Sequence, residues 1–246
     1  MLRFIYVIAG NLYRAWMIPK MGYYSRHPEK YSEQFRYEYD RYVINLMKKT
    51  GRITTEGFGM ENLPKDGGYV MFSNHQGKYD ALGIMHTHDK PCSVVMDDAR
   101  SHGPLVKQFI DLVDGKRLKL DNLKQAAGII KEVTEEVKEG RKFIIFPSGG
   151  YEHRNGNYID KFKAGAFKSA MKAKAPIVPV AIVDSWKVFD LWSLRKVKTE
   201  VFYLKPMLYD EYKDKKSVEI SSIIYDRICA AVELAQKGEF DEAVLQ

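Results

Sequence analysis

Five short apolar runs recur along this chain, each bounded by proline, glycine or polar residues. They are GYVMFSN (68–74), CSVVM (92–96), KFIIFP (142–147), IVPVAIV (177–183) and TEVFYL (199–204). Runs of this length that are rich in β-branched and aromatic residues predict buried strands. Because helical patterns separate them, the sequence predicts an α/β fold with a mixed, largely parallel sheet flanked by helices.

Helical periodicity fills most of the sequence between these runs. The predicted helices cover residues 29–49, 121–139, 164–174 and 217–237. The inward face predicted for the first is Phe35, Tyr39, Tyr42 or Val43, and Leu46. The inward stripe predicted for the second is Leu123, Ala127, Ile130, Val133 and Val137. No repeat or linker interrupts the pattern, so we expect one domain over 51–246, preceded by a helical segment over 1–50.

The N-terminal segment is basic and apolar at once. MLRFIYVIAGNLYRAWMIPKMGYY has three cations and no acid, and its longest apolar run, Phe4 to Gly10, is far short of the roughly 20 residues that span a bilayer. Wound as a helix, it groups Arg3, Gly10 and Arg14 on one stripe and leaves an apolar remainder. This pattern favours a helix lying in the membrane interface, and the alternative is a helix packed on the protein's own core. It predicts a peripheral or monotopic membrane protein.

Charge and cysteine content narrow the classes of partner. The chain carries a net charge of +7, and residues 161–205 hold ten Lys or Arg against three Asp or Glu. Such a surface attracts phosphates, whether of anionic lipid, a phosphorylated substrate or nucleic acid. No nucleic-acid motif accompanies the charge, so a nucleic-acid partner is not expected. The two cysteines exclude a disulfide framework and a cysteine-built zinc site.

The segment NHQGKYD follows the first predicted strand and places His75 five residues before Asp80. Histidine is suited to proton transfer at neutral pH, and a nearby carboxylate can hold its other ring nitrogen. In α/β sheets, ligands bind just past the strand ends. PSGGYEH (147–153) follows another strand, so the two segments are expected at one site. Backbone N–H groups of the Asn74–Gly77 turn are candidates for stabilising an oxyanion.

Four blocks in order carry a resemblance to a known family. Asn74, His75 and Asp80 match an NHxxxxD block, a basic middle block follows, Phe146-Pro147 with Gly149 match most of an FPEG block, and 178–180 match a VP block. From about residue 50 to 205, the chain resembles the PlsC-type 1-acylglycerol-3-phosphate acyltransferases.

The resemblance implies transfer of a fatty acyl group from acyl carrier protein or coenzyme A to lysophosphatidate, which gives phosphatidate, with no cofactor or metal. It implies that His75 is the general base, that Asp80 orients it, and that Asn74 lies in the substrate loop. The substrate hydroxyl is then the nucleophile, so no acyl-enzyme is needed.

The acceptor's phosphate implies cations. The middle block contains Lys116, Arg117 and Lys119. Arg117 is the expected phosphate ligand because its guanidinium can donate hydrogen bonds to two phosphate oxygens at once. In the third block Gly149 is retained and Arg154 is the expected second cation.

Ser148 stands where the family has Glu, although it can still hydrogen-bond, and nearby Glu152 is a candidate substitute. The departure leaves two alternatives open. One is a lipid-binding homologue without turnover, and the other is an enzyme with a different glycerolipid acceptor.

The tetrapeptide HTHD invites a metal site made by His86, His88 and Asp89. Two histidines two residues apart do not share a helix face, unlike the i, i+4 zinc arrangement. We therefore expect no metal here and assign both histidines to the surface.

Overall fold

The computed structural model describes residues 2–103, 105–151 and 156–239. These residues form a seven-stranded sheet in the order β1-β7-β6-β2-β5-β3-β4. The strands are β1 Ile53–Phe58, β2 Tyr69–Ser73, β3 Ser93–Asp97, β4 Lys116–Leu118, β5 Lys142–Ile145, β6 Ile177–Val183 and β7 Val197–Tyr203. Neighbouring strands are parallel except β6 and β7, which are antiparallel. The mixed, largely parallel α/β fold expected from the sequence is confirmed.

Helices cover both faces of the sheet. They are α1 Leu2–Gly10, α2 Met17–Arg26, α3 Glu33–Gly51, α4 Asp80–Thr87, α5 Asp98–Ser101, α6 Val106–Leu112, α7 Leu123–Lys138, α8 Lys168–Ala173, α9 Tyr209–Tyr212 and α10 Ser217–Lys237. Side chains of β2 alternate between two cores, with Val70 and Phe72 on one face and Tyr69 and Met71 on the other. The first core includes α7, α8 and α10, and the second includes α2, α3, α4 and α6.

Two strands escaped sequence-based prediction. β1 carries Glu56 and Gly57 and lies at one edge of the sheet, and β4 has only three residues, two of them cations. Neither presents an apolar run. The order of the other five strands along the chain agrees with the sequence expectation, and their bounds differ from the predicted ones by at most two residues.

The buried face of α3 differs from the one predicted. Tyr37, Asp40 and Ile44 are buried, whereas Phe35 and Tyr42 are exposed. Tyr39 and Val43 are half-buried and pack against the core, as predicted. The prediction was wrong for Phe35 and Tyr42, whose rings pack on neighbouring aromatic rings along the surface of α2 and α3.

The cationic stripe of α1 turns towards the protein. Arg3 is fully buried, and its guanidinium donates to the backbone carbonyl of Val188 at 2.8 Å. A Cβ on Gly10 would come within 2.7 Å of the Thr50 side chain, so this face of α1 packs closely against α3. Burial lowers the pKa of Arg3 from its usual value.

The opposite face of the N-terminal segment presents large apolar side chains to solvent. They are Ile5, Tyr6, Ile8, Leu12, Tyr13 and Trp16, which we call the N-terminal patch. Within residues 2–103, 105–151 and 156–239, no helix is both long and apolar enough to cross a membrane.

Candidate active site

His75 and Asp80 meet directly at the carboxyl end of β2. The chain leaves β2 at Ser73, turns, and enters α4 at Asp80, which brings Asp80 Oδ2 within 2.6 Å of His75 Nδ1. Asp80 is fully buried, and the His75 side chain is 19% exposed. With Nδ1–H donating to the carboxylate, Nε2 is the basic ring nitrogen.

The buried Asp80 carboxylate accepts three further hydrogen bonds. Oδ2 accepts from the backbone N–H groups of Gln76 at 2.5 Å and Gly77 at 2.9 Å. Oδ1 accepts from the Ser185 hydroxyl at 2.5 Å. With His75, four donors therefore converge on the carboxylate and hold it in place beside the imidazole.

These contacts also remove two of the N–H groups in the Asn74–Gly77 turn from the candidates for stabilising an oxyanion. The N–H groups of Gln76 and Gly77 point at Asp80. They are therefore committed to the carboxylate and do not supply an oxyanion hole.

The loop that carries His75 is fastened to the end of β6. The Asn74 amide donates to the Ile182 carbonyl at 2.9 Å and accepts from the Ile182 N–H at 2.8 Å. Gln76 donates to the same carbonyl at 3.0 Å and accepts from the Ser185 N–H at 3.0 Å. Asn74 was expected in the substrate loop, and both of its polar side-chain atoms are engaged with backbone.

At Gly77 the loop comes close to the segment after β6. A Cβ on Gly77 would lie 3.0 Å from Asp190 Oδ2 and 3.4 Å from the Trp186 Cα. A side chain at this position would therefore require the Asp190 carboxylate to shift by a few tenths of an ångström.

Aromatic rings hold the imidazole of His75 on two sides. Phe146 stacks on it with centroids 4.4 Å apart, and Tyr151 meets it edge-on at 4.7 Å. The Arg100 guanidinium lies 5.6 Å from the centroid of the Tyr151 ring. A cation is therefore separated from the imidazole by one aromatic ring.

The third block forms a tight turn after β5. Ser148 donates to the Gly150 carbonyl at 2.6 Å, and Gly149 has φ +77°, a left-handed conformation that favours glycine. A Cβ on Gly149 would lie 2.9 Å from Lys163 Nζ, so an ammonium group lies against this turn. Arg154 and Glu152 lie outside the described residues.

The three cations of the middle block differ in their surroundings. Arg117 lies in β4 and donates to Asp111 at 2.6 Å and to the Ser101 hydroxyl at 3.0 Å. Lys116 forms ion pairs at 2.7 Å with Glu132 and 2.5 Å with Glu136. Lys119, just past β4, is exposed.

The surface assignment of the HTHD histidines is wrong for His88, and His86 is half-buried. His88 is fully buried, and its two nitrogens meet the Tyr69 hydroxyl and the Lys90 carbonyl, each at 2.7 Å. His86 Nε2 hydrogen-bonds to Lys48. The sequence pattern assigned both histidines to the surface because they lie at the polar end of α4. In the structure, α3 and β2 cover that end.

Sequence reasoning missed Ser185, Gln76 and Asn157. The amide of Asn157 accepts from Gln76 at 2.9 Å and from the Asp184 N–H at 2.7 Å, which fixes the segment that carries Ser185. Ser185 and Asp80 are 105 positions apart. The one available signal was that VDSWK follows the last buried parallel strand, where site residues concentrate.

The geometry provides an oriented base whose neighbours are aromatic rings, and its companion is a fully hydrogen-bonded carboxylate. The acyltransferase family model matches residues 55–183, which are just over half of the chain and include His75, Asp80 and Ser148. The chain belongs to the acyltransferase family. The resemblance seen in the four sequence blocks is thereby confirmed.

Curated relatives of this acyltransferase-family chain are named 1-acyl-sn-glycerol-3-phosphate acyltransferases. That of Saccharomyces cerevisiae is 27% identical over 146 residues, which are 59% of this chain and 48% of that protein. That of Escherichia coli is 25% identical over 181 residues, 73% of this chain and 71% of that protein. The chain thus spans about half the length of the yeast relative.

A solved structure shares the fold. The crystal structure of the 1-acyl-sn-glycerophosphate acyltransferase PlsC from Thermotoga maritima superposes with a TM-score of 0.76 and 20% identity, covering 96% of this chain and 95% of that one. At this identity, the likeness establishes the common fold.

Proposed function

We propose that the protein transfers a fatty acyl group from an acyl thioester to the free hydroxyl of 1-acylglycerol 3-phosphate, which yields phosphatidate. The observation that carries the proposal is the His75–Asp80 pair at 2.6 Å, with Nε2 left as the basic nitrogen. The names of the curated relatives support the same reaction and acceptor.

In the proposed mechanism, His75 Nε2 takes the proton from the lipid hydroxyl as that oxygen attacks the thioester carbonyl. The imidazolium that forms lies against Asp80, whose charge is held by three further donors. When the tetrahedral intermediate collapses, the proton passes from Nε2 to the departing thiolate. A positioned base of this kind contributes typically 10²–10⁴-fold.

The acceptor's phosphate is assigned to cations beside the turn at Gly149. Lys163 Nζ and Leu120 lie against that turn, exposed Lys119 precedes Leu120 in the chain, and Arg100 lies behind Tyr151. Arg117, the residue first expected to bind the phosphate, has one guanidinium nitrogen paired with Asp111.

Acceptors that are lipids must be taken from a bilayer, and the N-terminal patch offers the contact. Its apolar side chains are exposed, and the nearby ammonium of Lys20 lies 5.3 Å from the Trp16 ring. Aromatic side chains beside cations are suited to the head-group region. Deleting residues 1–24 would also remove Met17 and Met21 from the interior, so Leu12→Ser is the cleaner test.

A second candidate function, lipid binding without turnover, rests on Ser148. The Ser148 hydroxyl donates to the Gly150 carbonyl. The position therefore holds a neutral side chain where the PlsC-type enzymes have a carboxylate. Ser148→Glu, with Ser148→Ala as its matched control, separates the two candidates.

The test measures phosphatidate formation from lysophosphatidate with acyl carrier protein and coenzyme A donors, by wild type and both Ser148 variants. Turnover by wild type supports the enzyme, and the donor that gives it identifies the thioester. Turnover only after Ser148→Glu would favour the lipid-binding candidate. Turnover by wild type only when glycerol 3-phosphate or another lysolipid replaces lysophosphatidate would overturn the proposed acceptor.

A further inference from the structure

A second exposed apolar feature lies at the turn from β4 into α7. Residues 119–124, which we call the β4–α7 corner, are all exposed. Leu120 is 46% exposed and Leu123 is 86% exposed, and Lys119 and Lys124 flank them. Leu123 was predicted to face inward, and its exposure requires an explanation.

The corner continues an apolar stripe that the protein covers only in part. Along α7, Val133 and Val137 are buried in the core, Ile130 is half-buried, and Ala127 and Leu123 are exposed. Residues spaced in this way share one helix face. One face of α7 is therefore buried against the sheet in the C-terminal half of the helix and exposed to solvent in its first turns.

The corner lies at the same edge of the sheet as His75. The strands β2, β5, β3 and β4 run parallel, so their carboxyl ends share an edge. At about 4.8 Å between strands, β4 is about 14 Å from β2. Leu120 Cδ2 would lie 3.6 Å from a Cβ on Gly149, which places the corner against the turn of the third block.

The N-terminal helix lies on the other side of His75. Phe4 of α1 packs edge-on against Phe189 at 5.4 Å, in the segment that follows β6, and the Lys78 ammonium lies 5.8 Å from the Phe4 ring. The N-terminal patch and the β4–α7 corner thus lie on opposite sides of His75, along the edge where the parallel strands end.

We propose that the β4–α7 corner is a second membrane contact, in which Leu120 and Leu123 enter the interface of an anionic bilayer. Lys119 and Lys124 then meet head-group phosphates, because cations beside exposed leucines match the charge and polarity of that surface. The inference rests on the proposed function, which requires a lipid acceptor. With contacts on both sides, the bilayer faces the mouth of the site, and an acyl chain reaches His75 without crossing water.

The experiment places a polarity-sensitive fluorophore on a single accessible cysteine of the full chain. In a Cys229→Ser background, since Cys92 is buried, the label is attached at Leu123→Cys, at Leu12→Cys in the N-terminal patch, or at Leu208→Cys. Leu208 is the matched control, being 53% exposed. It follows Met207, which pairs with the first residue of β6 at the opposite edge of the sheet.

Vesicles of phosphatidylethanolamine and phosphatidylglycerol are then added to each labelled protein. The proposal expects a blue shift at 123 and at 12, and none at 208. A shift at 12 without one at 123 would overturn the second contact and leave the proposed function intact. No shift at 12 or 123 would overturn both the corner and the membrane contact of the proposed function.

A substitution gives an independent measure of the same contact. Leu123→Ser should lower partitioning onto the same vesicles by about tenfold, because an apolar side chain no longer leaves water. Leu208→Ser should leave partitioning unchanged. Unchanged partitioning in Leu123→Ser, or a shift of the 123 label with an acidic acyl carrier protein but not with vesicles, would also overturn the proposal.

Discussion

A histidine side chain lies near each end of β2, and the environments of the two are opposite. His75 follows the carboxyl end of the strand, where one nitrogen meets the Asp80 carboxylate and part of the ring is exposed. His88 packs at the other end, where its nitrogens meet the hydroxyl of Tyr69 and the carbonyl of Lys90.

The difference separates a histidine arranged for chemistry from one arranged for packing. At His88 neutral partners saturate both nitrogens, and burial lowers the pKa from its usual 6.5 to about 4. At His75 the carboxylate uses one nitrogen and stabilises a positive ring, which suits a base that gains and loses a proton. Exposure, partner charge and a remaining basic nitrogen distinguish the two, and residue type does not.

The largest effect is expected from Asp80→Asn, which keeps the shape and removes the charge. The substitution should lower kcat by about 10²–10⁴-fold, because the imidazolium loses its counter-charge and the tautomer is no longer fixed. Steady-state acyl transfer measures it. If Asp80→Asn folds and keeps the wild-type kcat, the Asp80 carboxylate is not what separates His75 from His88.

The pH dependence of stability should report the other end of the strand. The unfolded chain protonates His88 below about pH 6.5, whereas the folded protein resists until about pH 4, so stability is present above pH 6.5 and lost as pH falls. At full effect the loss is about 3 kcal/mol. Burial also lowers the pKa of His86 to about 4, which adds a slope of the same sign.

Unfolding titrations at several pH values isolate the contribution of His88. The difference in slope between wild type and His88→Gln over pH 4–6.5 belongs to that residue, and His102→Gln, at an exposed histidine, is the control. Identical slopes in wild type and His88→Gln would mean that the buried ring does not resist protonation.

Ser185→Ala should give a smaller effect, because Asp80 keeps three of its four hydrogen bonds. Loss of the 2.5 Å contact should lower kcat by about tenfold with KM little changed, since Ser185 positions the carboxylate and does not touch substrate. Ser185→Thr, which retains a hydroxyl, should recover much of the rate. An equal loss in both variants, or a rise in KM alone, would reduce Ser185 to packing.

From the sequence, the His75–Asp80 pair at the carboxyl end of β2 could be predicted, but the buried position of His88 at the other end could not. His75 and Asp80 lie five residues apart across a strand-to-helix turn, so a local pattern could pair them. Ser185 meets Asp80 through the sheet order, which no local pattern reports. His88 was misplaced because its cover comes from Tyr69 and from α3.

Periodicity reported which residues share a face and not what covers that face. The stripe of α7 has the expected spacing, yet it is buried at Val133 and exposed at Leu123. In the N-terminal segment, Arg3 and Gly10 do share a face, as predicted. That face packs against the protein, and the apolar side chains of the N-terminal patch are left in solvent. The assignment of residues 1–50 as a membrane-associating segment stays a prediction.

The most direct measurement compares His75→Gln with His88→Gln, recording both kcat/KM for acyl transfer to lysophosphatidate and the free energy of unfolding. The account predicts that His75→Gln loses at least about 100-fold in kcat/KM with stability within about 1 kcal/mol of wild type. His88→Gln should lose about 1–3 kcal/mol of stability and keep its turnover per folded molecule. Wild-type turnover in folded His75→Gln would contradict the assignment of His75 as the base.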